Sequence, residues 1–287
     1  MLDIYKGIQN SIGALRSALR ISISNADNFN TPGYKYTTAS FTTVYSSVLS
    51  QGTDSINPMA GGSSMTLGST NTDYSQGNIG IGGPLDVAIS GAGLMILSES
   101  PQSFEYGSSN LYTRAGRFAV DFNNQYLTDT FGRKVFGYKV NSQGQITNPS
   151  PVPIQTDGYT DIGFSDGGVL VANYQAQKNA IASGTTPVPA LIPLYKIALT
   201  DFKNKQGLII VNGGAYKPTE AAGSQLTPST SGELGYGDIL PQALESSNID
   251  VARVALDLNQ INRGFSAIQG VIDDVNKIFS NMISKLG

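Results

Sequence analysis

The chain has no cysteine and no histidine among its 287 residues. The first absence excludes disulfide bonds and thiolate nucleophiles, and the second excludes Ser-His relays; together they remove the common zinc ligand sets. Most familiar catalytic chemistry therefore has no residues to carry it. We expect a protein that is not an enzyme and has no catalytic, metal-binding or cofactor-binding residues.

Charge is also scarce in this chain. Only 14% of the residues are charged, where about a quarter is usual. The formal net charge of −3 gives no long-range attraction to nucleic acid or to an anionic membrane. Weakly charged surfaces suit contact with neighbouring subunits better than free dispersal, so the composition favours an assembling protein.

Long hydrophobic runs are missing as well. No stretch approaches 18 consecutive apolar residues, so no membrane-spanning helix is expected. The first residues include Asp3, Lys6 and Asn10, where a secretion signal would have an unbroken apolar segment. We therefore expect no cleaved signal peptide and no membrane insertion.

Residues 251–287 are instead dominated by one regular pattern. Apolar residues recur with alternating steps of three and four, which is the 3.5-residue period of a coiled coil rather than the 3.6-residue period of an ordinary surface helix. These seam positions are Val251, Val254, Leu258, Ile261, Phe265, Ile268, Ile272, Val275, Phe279, Met282 and Leu286. The pattern predicts one long helix that requires a partner helix.

The positions that flank this seam are neutral, small or apolar, as at Asn262, Gln269 and Val271. A solvated two-stranded coiled coil would carry charges there. The flanks therefore favour a helix with neighbours on more than one side over an isolated dimeric coiled coil.

A second, shorter seam lies at the amino terminus. Its positions are Met1, Tyr5, Ile8, Ile12, Leu15 and Leu19. The helix should run from about Leu2 to Asp27 and end before Pro32, because proline has no amide donor and disfavours helix in the residue before it. We expect the two terminal helices to pair.

The middle of the chain has the signals of β-structure. Short alternating runs separated by Gly, Asn, Asp and Pro occur at 85–89, 94–97, 117–122, 134–140, 168–172, 194–199 and 208–211. Asn123-Asn124 is expected to close a hairpin. No helix-period segment of useful length interrupts these runs, so the region is expected to be an antiparallel all-β unit.

These patterns together predict an α+β protein with a discontinuous domain organisation. Residues 1–35 and 248–287 are expected to form a coiled-coil-like helical domain, and 36–75 an extended bracing segment. Residues 76–247 are expected to form a mainly antiparallel β domain with a small inserted lobe at 140–193.

Four sequence blocks resemble, in order, the signature motifs of bacterial flagellar rod and hook proteins. They lie at 24–35 (SNADNFNTPGYK), 75–93 (SQGN and LDVAISGAG), 112–138 (YTRAGRF and GRKVFGY) and 244–250 (LESSNID). The blocks depart from the family pattern at Ser24, Ala26 and Asp27, and Leu94-Met95 replace an aromatic pair.

The resemblance implies a structural axial component of the bacterial flagellum. In such proteins the end helices form the inner layer of a hollow tube, the β-domain lies outside it, and export uses the flagellar type III apparatus without signal cleavage. The implied partners are copies of the chain itself, adjacent rod and hook axial proteins, the export apparatus and bushing-ring proteins. The implied location is the basal body or hook, outside the cytoplasm.

The chain's length and its long segment at 41–74 make the resemblance closest to the distal-rod protein, which transmits torque and conducts exported substrates. A short hook protein or a proximal-rod protein is the alternative. The subunit interface is expected to contain Ile8, Ile12, Leu15, Leu19, Asn25, Asn28, Thr31, Pro32, Gly33, Val254, Leu258, Ile261, Phe265, Ile268, Ile272, Val275, Phe279 and Met282.

Other interpretations of the sequence are weaker. The glycines at 77–83 are not followed by a helix that could bind a phosphate, and Asp157, Asp161 and Asp166 lack the spacing of a calcium loop. A glycoside hydrolase needs only two carboxylates, but none lies in a recognisable motif. A secreted adhesin with a coiled-coil stalk would explain the long helix and the glycine-rich strands but not the amino-terminal partner helix.

Overall fold

The structure is a computed structural model that describes residues 2–50, 59–99, 110–121 and 123–286, and the side chains of all of these except 2–4, 44–50, 59–63 and 286. The seam position Met1, the predicted strand end Phe122 and the middle of the predicted extended segment lie outside the described residues. The side chain of Leu286 is likewise not described.

Within these ranges the chain forms three α-helices: α1 (Leu2–Asp27), α2 (Tyr174–Ser183) and α3 (Val251–Leu286). The strands are β1 (Thr37–Ser50), β2 (Met59–Thr72), β3 (Ile79–Ile81), β4 (Val87–Ser90), β5 (Leu94–Ser98), β6 (Leu111–Thr113), β7 (Phe118–Asp121), β8 (Tyr126–Asp129), β9 (Lys134–Lys139), β10 (Val152–Pro153), β11 (Ile162–Ser165), β12 (Val169–Ala172), β13 (Ile192–Ile197), β14 (Leu199–Thr200), β15 (Leu208–Val211), β16 (Ala215–Pro218), β17 (Asp238–Pro241) and β18 (Ala243–Glu245). Short 3-10 turns occur at Asp166–Gly168, Lys205–Gly207, Asn212–Gly214 and Glu220–Ala222. In the described part of the chain, no helix has the length and apolarity needed to cross a bilayer.

The chain divides into two compact units, each made from separate segments. The helical unit comprises Met1–Phe29, Tyr36–Asp73 and Ile249–Gly287, and the β unit comprises Asn30–Lys35 and Tyr74–Asn248. The predicted terminal helices and β-rich body are therefore both present.

The helical unit contains α1, α3 and a long two-stranded ladder. Strands β1 and β2 pair antiparallel from Thr37 opposite Thr72 to Ser50 opposite Met59, with several bulges between. Helix α1 packs against both strands and against α3, and the Met65 amide donates to Ser11 Oγ at 3.1 Å. The predicted extended segment thus contains a ladder that lies on α1.

The β unit is built on a twelve-stranded sheet, along which β11, β12, β13, β9, β5, β6, β16 and β15 follow one another. All five side chains of β5 are buried. Met95 and Leu97 join one apolar cluster, whereas Leu94 and Ile96 join another on the opposite face. Because both faces of β5 are covered, its sequence is a continuous apolar run rather than an alternating one.

Helix α2 contradicts the prediction that no helix interrupts the β region. Its start has no local capping side chain; Asn173, in the capping position, adopts a left-handed conformation with φ of 62°. The Asp161 carboxylate instead accepts the amides of Gln175 at 2.7 Å and Ala176 at 2.9 Å. The prediction failed because the group that satisfies the first turn comes from a residue distant in sequence.

We expect Asp161→Ala to fray α2, because two amides of its first turn lose their acceptor. The expected loss is about 1 kcal/mol of local stability, measured as faster hydrogen exchange at residues 175–178. Asp166→Ala removes an exposed carboxylate nearby and serves as the control. Equal exchange in the two variants would contradict the remote cap.

Candidate functional site

The two terminal helices contact each other and run in opposite directions. The rings of Tyr5 and Phe279 lie 6.5 Å apart. Further along, Leu15 packs on Gly264, where an added Cβ would lie only 2.9 Å from Leu15 Cδ2. The absence of a side chain at Gly264 therefore permits close approach of the helices at this point.

The predicted seam is the less exposed face of α3. Val254 and Ile261 are buried at 4% and 5% exposure. The seam side chains that are half-buried are Leu258, Phe265, Ile268, Ile272, Val275 and Phe279. Val251 and Met282, near the two ends, are exposed. The seam therefore faces inward along most of the helix but is only partly covered, and a continuous coiled coil is not confirmed.

The buried face of α1 differs from its predicted seam. Leu15 is buried, whereas Ile8, Ile12 and Leu19 are only half-buried. The most buried side chains besides Leu15 are small or polar: Ala14, Ala18, Ser22 and Asn25. This stripe was not predicted, because α1 packs on β1 and β2 as well as on α3. Small residues every four positions were the available signal for a close contact.

Asn25 and Asn28 have different roles from each other. Asn25 is fully buried. Its Nδ2 donates to the Thr37 carbonyl at 2.7 Å, and its Oδ1 accepts the Thr37 amide at 3.1 Å. This paired hydrogen bonding fixes the start of β1 against the end of α1. Asn28 Nδ2 donates to the Ser24 carbonyl at 2.8 Å, a local bond after the last helical turn.

Tyr36 ties the start of β1 to α3. Its hydroxyl donates to the Asp257 carboxylate, and the Arg253 guanidinium lies 4.6 Å above its ring. Burial, followed by the hydrogen bond to Asp257, raises the pKa of Tyr36 to about 12. This contact was not predicted, because Tyr36 and its partners are more than 200 residues apart in sequence.

The turn at 30–35 belongs to the β unit. Thr31 and Pro32 are half-buried, and Gly33 is buried with φ of +68°. The Gly33 amide donates to the Glu245 carbonyl at 2.8 Å. A Cβ at Gly33 would lie 2.5 Å from the Ala115 amide nitrogen. Both the conformation and the close approach therefore require glycine here.

The last residue of this turn, Lys35, forms a buried ion cluster with Arg114 and Glu245. Lys35 Nζ is 2.5 Å from Glu245 Oε1 and donates to the Ser75 carbonyl at 2.6 Å. Arg114 Nε donates to Glu245 Oε2 at 2.8 Å. The Gly77 amide donates to Oε1 at 2.9 Å. Both carboxylate oxygens are thus satisfied in a site where Lys35 and Glu245 have no exposure to solvent.

Backbone carbonyls occupy the remaining face of Arg114. Its terminal nitrogens donate to the carbonyls of Gly91 at 2.8 Å, Gly93 at 3.0 Å and Ile89 at 2.8 Å. Gly91 and Gly93 both have positive φ, which lets the chain turn these carbonyls toward the guanidinium. The two cations outnumber the carboxylate by one, and the carbonyl dipoles offset the excess charge.

The ion cluster gathers all four blocks that carry the family resemblance. Lys35 comes from the first block, and Gly77, Gly91 and Gly93 come from the second. Arg114 and Glu245 come from the third and fourth. The blocks are recognisable in the sequence, but the contact between their charged residues was not predicted. A lysine, an arginine and a glutamate inside otherwise apolar or glycine-rich motifs were the available signal.

The ring of Tyr216 lies close enough to interact electrostatically with Arg114 and Glu245, and burial raises its pKa well above the ordinary value. Tyr216 therefore stays neutral and adds no charge to the cluster. In the described ranges, no group of three or more acidic side chains is placed to hold a metal ion.

The protein therefore belongs to the α+β class. Both chain ends contribute to one helical unit, and the first and last motif blocks, which adjoin those ends, are joined inside the β unit by the ion pair of Lys35 and Glu245. This architecture agrees with the terminal helices and β-rich body that the resemblance to flagellar axial proteins implies.

Comparisons with known proteins confirm that resemblance. No protein-family model matches the chain. The chain is 24% identical to the flagellar basal-body rod protein FlgG of Bacillus subtilis over 294 residues, covering 98% of each chain. It is 26% identical to FlgG of Caulobacter vibrioides over 279 residues, covering 94% of each. The flagellar hook protein FlgE of Caulobacter vibrioides is 28% identical over 195 residues, which cover 67% of this chain and 31% of that protein.

We expect Gly33→Ala to lower the free energy of unfolding by about 3 kcal/mol, from the positive φ and from overpacking against Ala115. Gly144→Ala is the matched control, because Gly144 also has positive φ (+76°) but no atom within 4 Å of an added Cβ. Its expected cost is about 1 kcal/mol. Urea unfolding measures both, and equal costs would show that the close approach is unimportant.

The Tyr36 hydroxyl predicts a pH dependence. Because its pKa is about 10 when unfolded and about 12 when folded, its stabilising effect is complete below pH 10 and is lost as pH rises from 10 to 12. The difference in unfolding free energy between the parent chain and Tyr36→Phe should therefore shrink over this interval. Urea titrations at several pH values measure it, and a constant difference would contradict the assignment.

Proposed function

We propose that the chain is a structural axial component of the bacterial flagellum that polymerises with copies of itself into a hollow helical tube, the distal rod. Its named relatives support a structural role in the basal body or hook. The finer assignment to a tube-forming distal-rod subunit is our inference from the residues of α1 and α3.

The observation that carries the proposal is the partly covered seam of α3. Among the seam side chains that the structure describes, only Val254 and Ile261 are buried in one copy of the chain. Full burial of a large apolar side chain contributes about 1.5–3 kcal/mol, so each half-buried seam residue has roughly 1 kcal/mol still to gain. Summed along the helix, this is a substantial driving force for contact with another copy.

A second set of apolar side chains on α3 supports neighbours on more than one side. Leu256 and Ile283 are 63% and 70% exposed, and Val271 and Ile278 are about half exposed. Val271 and Ile278 are seven residues apart and therefore lie on the same face of the helix, beside the seam. A helix within a multi-helix tube wall would cover them.

The proposed subunit interface retains the seam residues of both helices. We place the turn residues Asn28, Thr31 and Pro32 at its edge. Asn25 and Gly33 would support the interface indirectly, by fixing the conformation of the backbone around the turn. Both are buried and hydrogen-bonded to other parts of the same copy. The ladder of β1 and β2 would brace adjacent copies and stiffen the tube.

The share of each relative's length that aligns with this chain favours a rod position over a hook position. The rod proteins align with this chain almost from end to end. The hook protein of Caulobacter vibrioides matches over less than a third of its own length. A short hook protein is the second candidate, because that hook relative is 28% identical to this chain over 195 residues. A proximal-rod protein remains the further alternative.

In this function the protein acts mechanically. The tube would transmit torque and let exported substrates pass through its bore. Its partners would be other copies of the chain, adjacent rod and hook axial proteins, the flagellar export apparatus and the rings that surround the rod.

Electron microscopy of the purified chain at high concentration tests the proposal, and tubes or short rods are the expected result. Ile268→Asp should raise the concentration needed for assembly roughly a hundredfold, because a charge in a dry seam costs several kcal/mol. Ser266→Asp places the same charge at an exposed position two residues away and should assemble normally.

Normal assembly of Ile268→Asp would show that the seam does not mediate polymerisation. A chain that stays monomeric at every concentration and binds a surface ligand would instead favour an adhesin.

A further inference from the structure

The chain passes between the β unit and the helical unit four times: at 29/30, 35/36, 73/74 and 248/249. The ion cluster and its hydrogen-bond partners lie beside these crossings. Lys35 is the last residue before one crossing, Ser75 is the second residue after another, and Asn248 is the last residue before the fourth.

Within the β unit these residues are bonded to one another. Lys35 Nζ contacts both Glu245 and the Ser75 carbonyl. Asn248 Nδ2 donates to the Ser75 carbonyl at 3.2 Å and to its Oγ at 3.1 Å. The Asn248 amide donates to the Tyr34 carbonyl at 3.4 Å. The 29/30 crossing is joined to the same group by the Gly33 amide, which donates to the Glu245 carbonyl.

We infer that the ion cluster is a conformational anchor that lets three separate chain segments form one helical unit. When the β unit folds, the bonds around Glu245 and Ser75 fix where β1 starts, where β2 ends and where α3 starts. The helical unit then forms from segments whose ends are already held together. Without the anchor, each segment would have to close a long loop by itself.

The charges of the ion cluster suggest a way to distinguish an anchor for the helical unit from a group that only stabilises the β core. Without Lys35 the β unit keeps a balanced ion pair of Arg114 and Glu245, so no buried charge is left uncompensated. Lys35 is the member that joins the 35/36 crossing to Ser75, beside the 73/74 crossing, and to Glu245, shortly before the 248/249 crossing. Its removal should therefore affect the helical unit more than the β unit.

Hydrogen exchange of the full chain in dilute, unassembled solution tests the inference, so the result does not depend on polymerisation. In Lys35→Met we expect protection at 14–22 and 254–261 in the helical unit to fall at least tenfold. Protection of β5 at 95–97 should stay within about threefold of the parent chain. Asn248→Ala, which removes a tie at the last crossing, should show the same pattern more weakly.

The control is Asp129→Asn, which breaks the buried Asp129–Arg133 ion pair of the β unit. It should lower protection near β8 without a selective loss at 254–261.

The inference is wrong if Lys35→Met leaves the helical unit fully protected, or if Asp129→Asn lowers that protection equally. It is also wrong if Lys35→Met exposes β5 as much as the helical unit, because the cluster would then serve only the β core. If Lys35→Met fails to fold, Asn248→Ala decides by the same criteria.

Discussion

The buried carboxylate of Glu245 is the constraint on which the β unit depends. A carboxylate removed from water is tolerated only when charges and amides satisfy both of its oxygens. Here Lys35, Arg114 and the Gly77 amide do so. Lys35 and Glu245 are 210 residues apart in sequence, and closing a loop of that length costs on the order of 5 kcal/mol. The ion cluster holds that loop closed.

The two units differ in how much of their apolar surface is buried within one copy of the chain. The β unit covers both faces of β5 within one copy of the chain. The helical unit leaves most of the α3 seam half-buried, with Val254 and Ile261 as the covered positions. A weakly charged surface adds little repulsion between copies. The partly covered seam of α3 is the surface that the proposed contacts between copies would bury.

The sequence predicted the local features of this fold well. The bounds of α1 and α3 and the main strands follow from periodicities that are carried by neighbouring residues, and these need no tertiary information. Helix α2 was missed, because its cap is the remote carboxylate of Asp161. The buried face of α1 was only partly identified, because contact with β1 and β2 selects Ala14, Ala18 and Ser22 in addition to the face toward α3.

The candidate site shows most clearly which features can be predicted from the sequence and which cannot. The terminal helices, the main strands, the apolar face of α3 and the four blocks that resemble flagellar axial proteins could all be predicted from neighbouring residues. The contacts of Lys35 and Arg114 with Glu245, of Tyr36 with Asp257, and of Asn25 with the start of β1 became visible in the folded chain alone. Periodicity records how a residue relates to its near neighbours, whereas a buried charge is explained only by the distant partners that neutralise it.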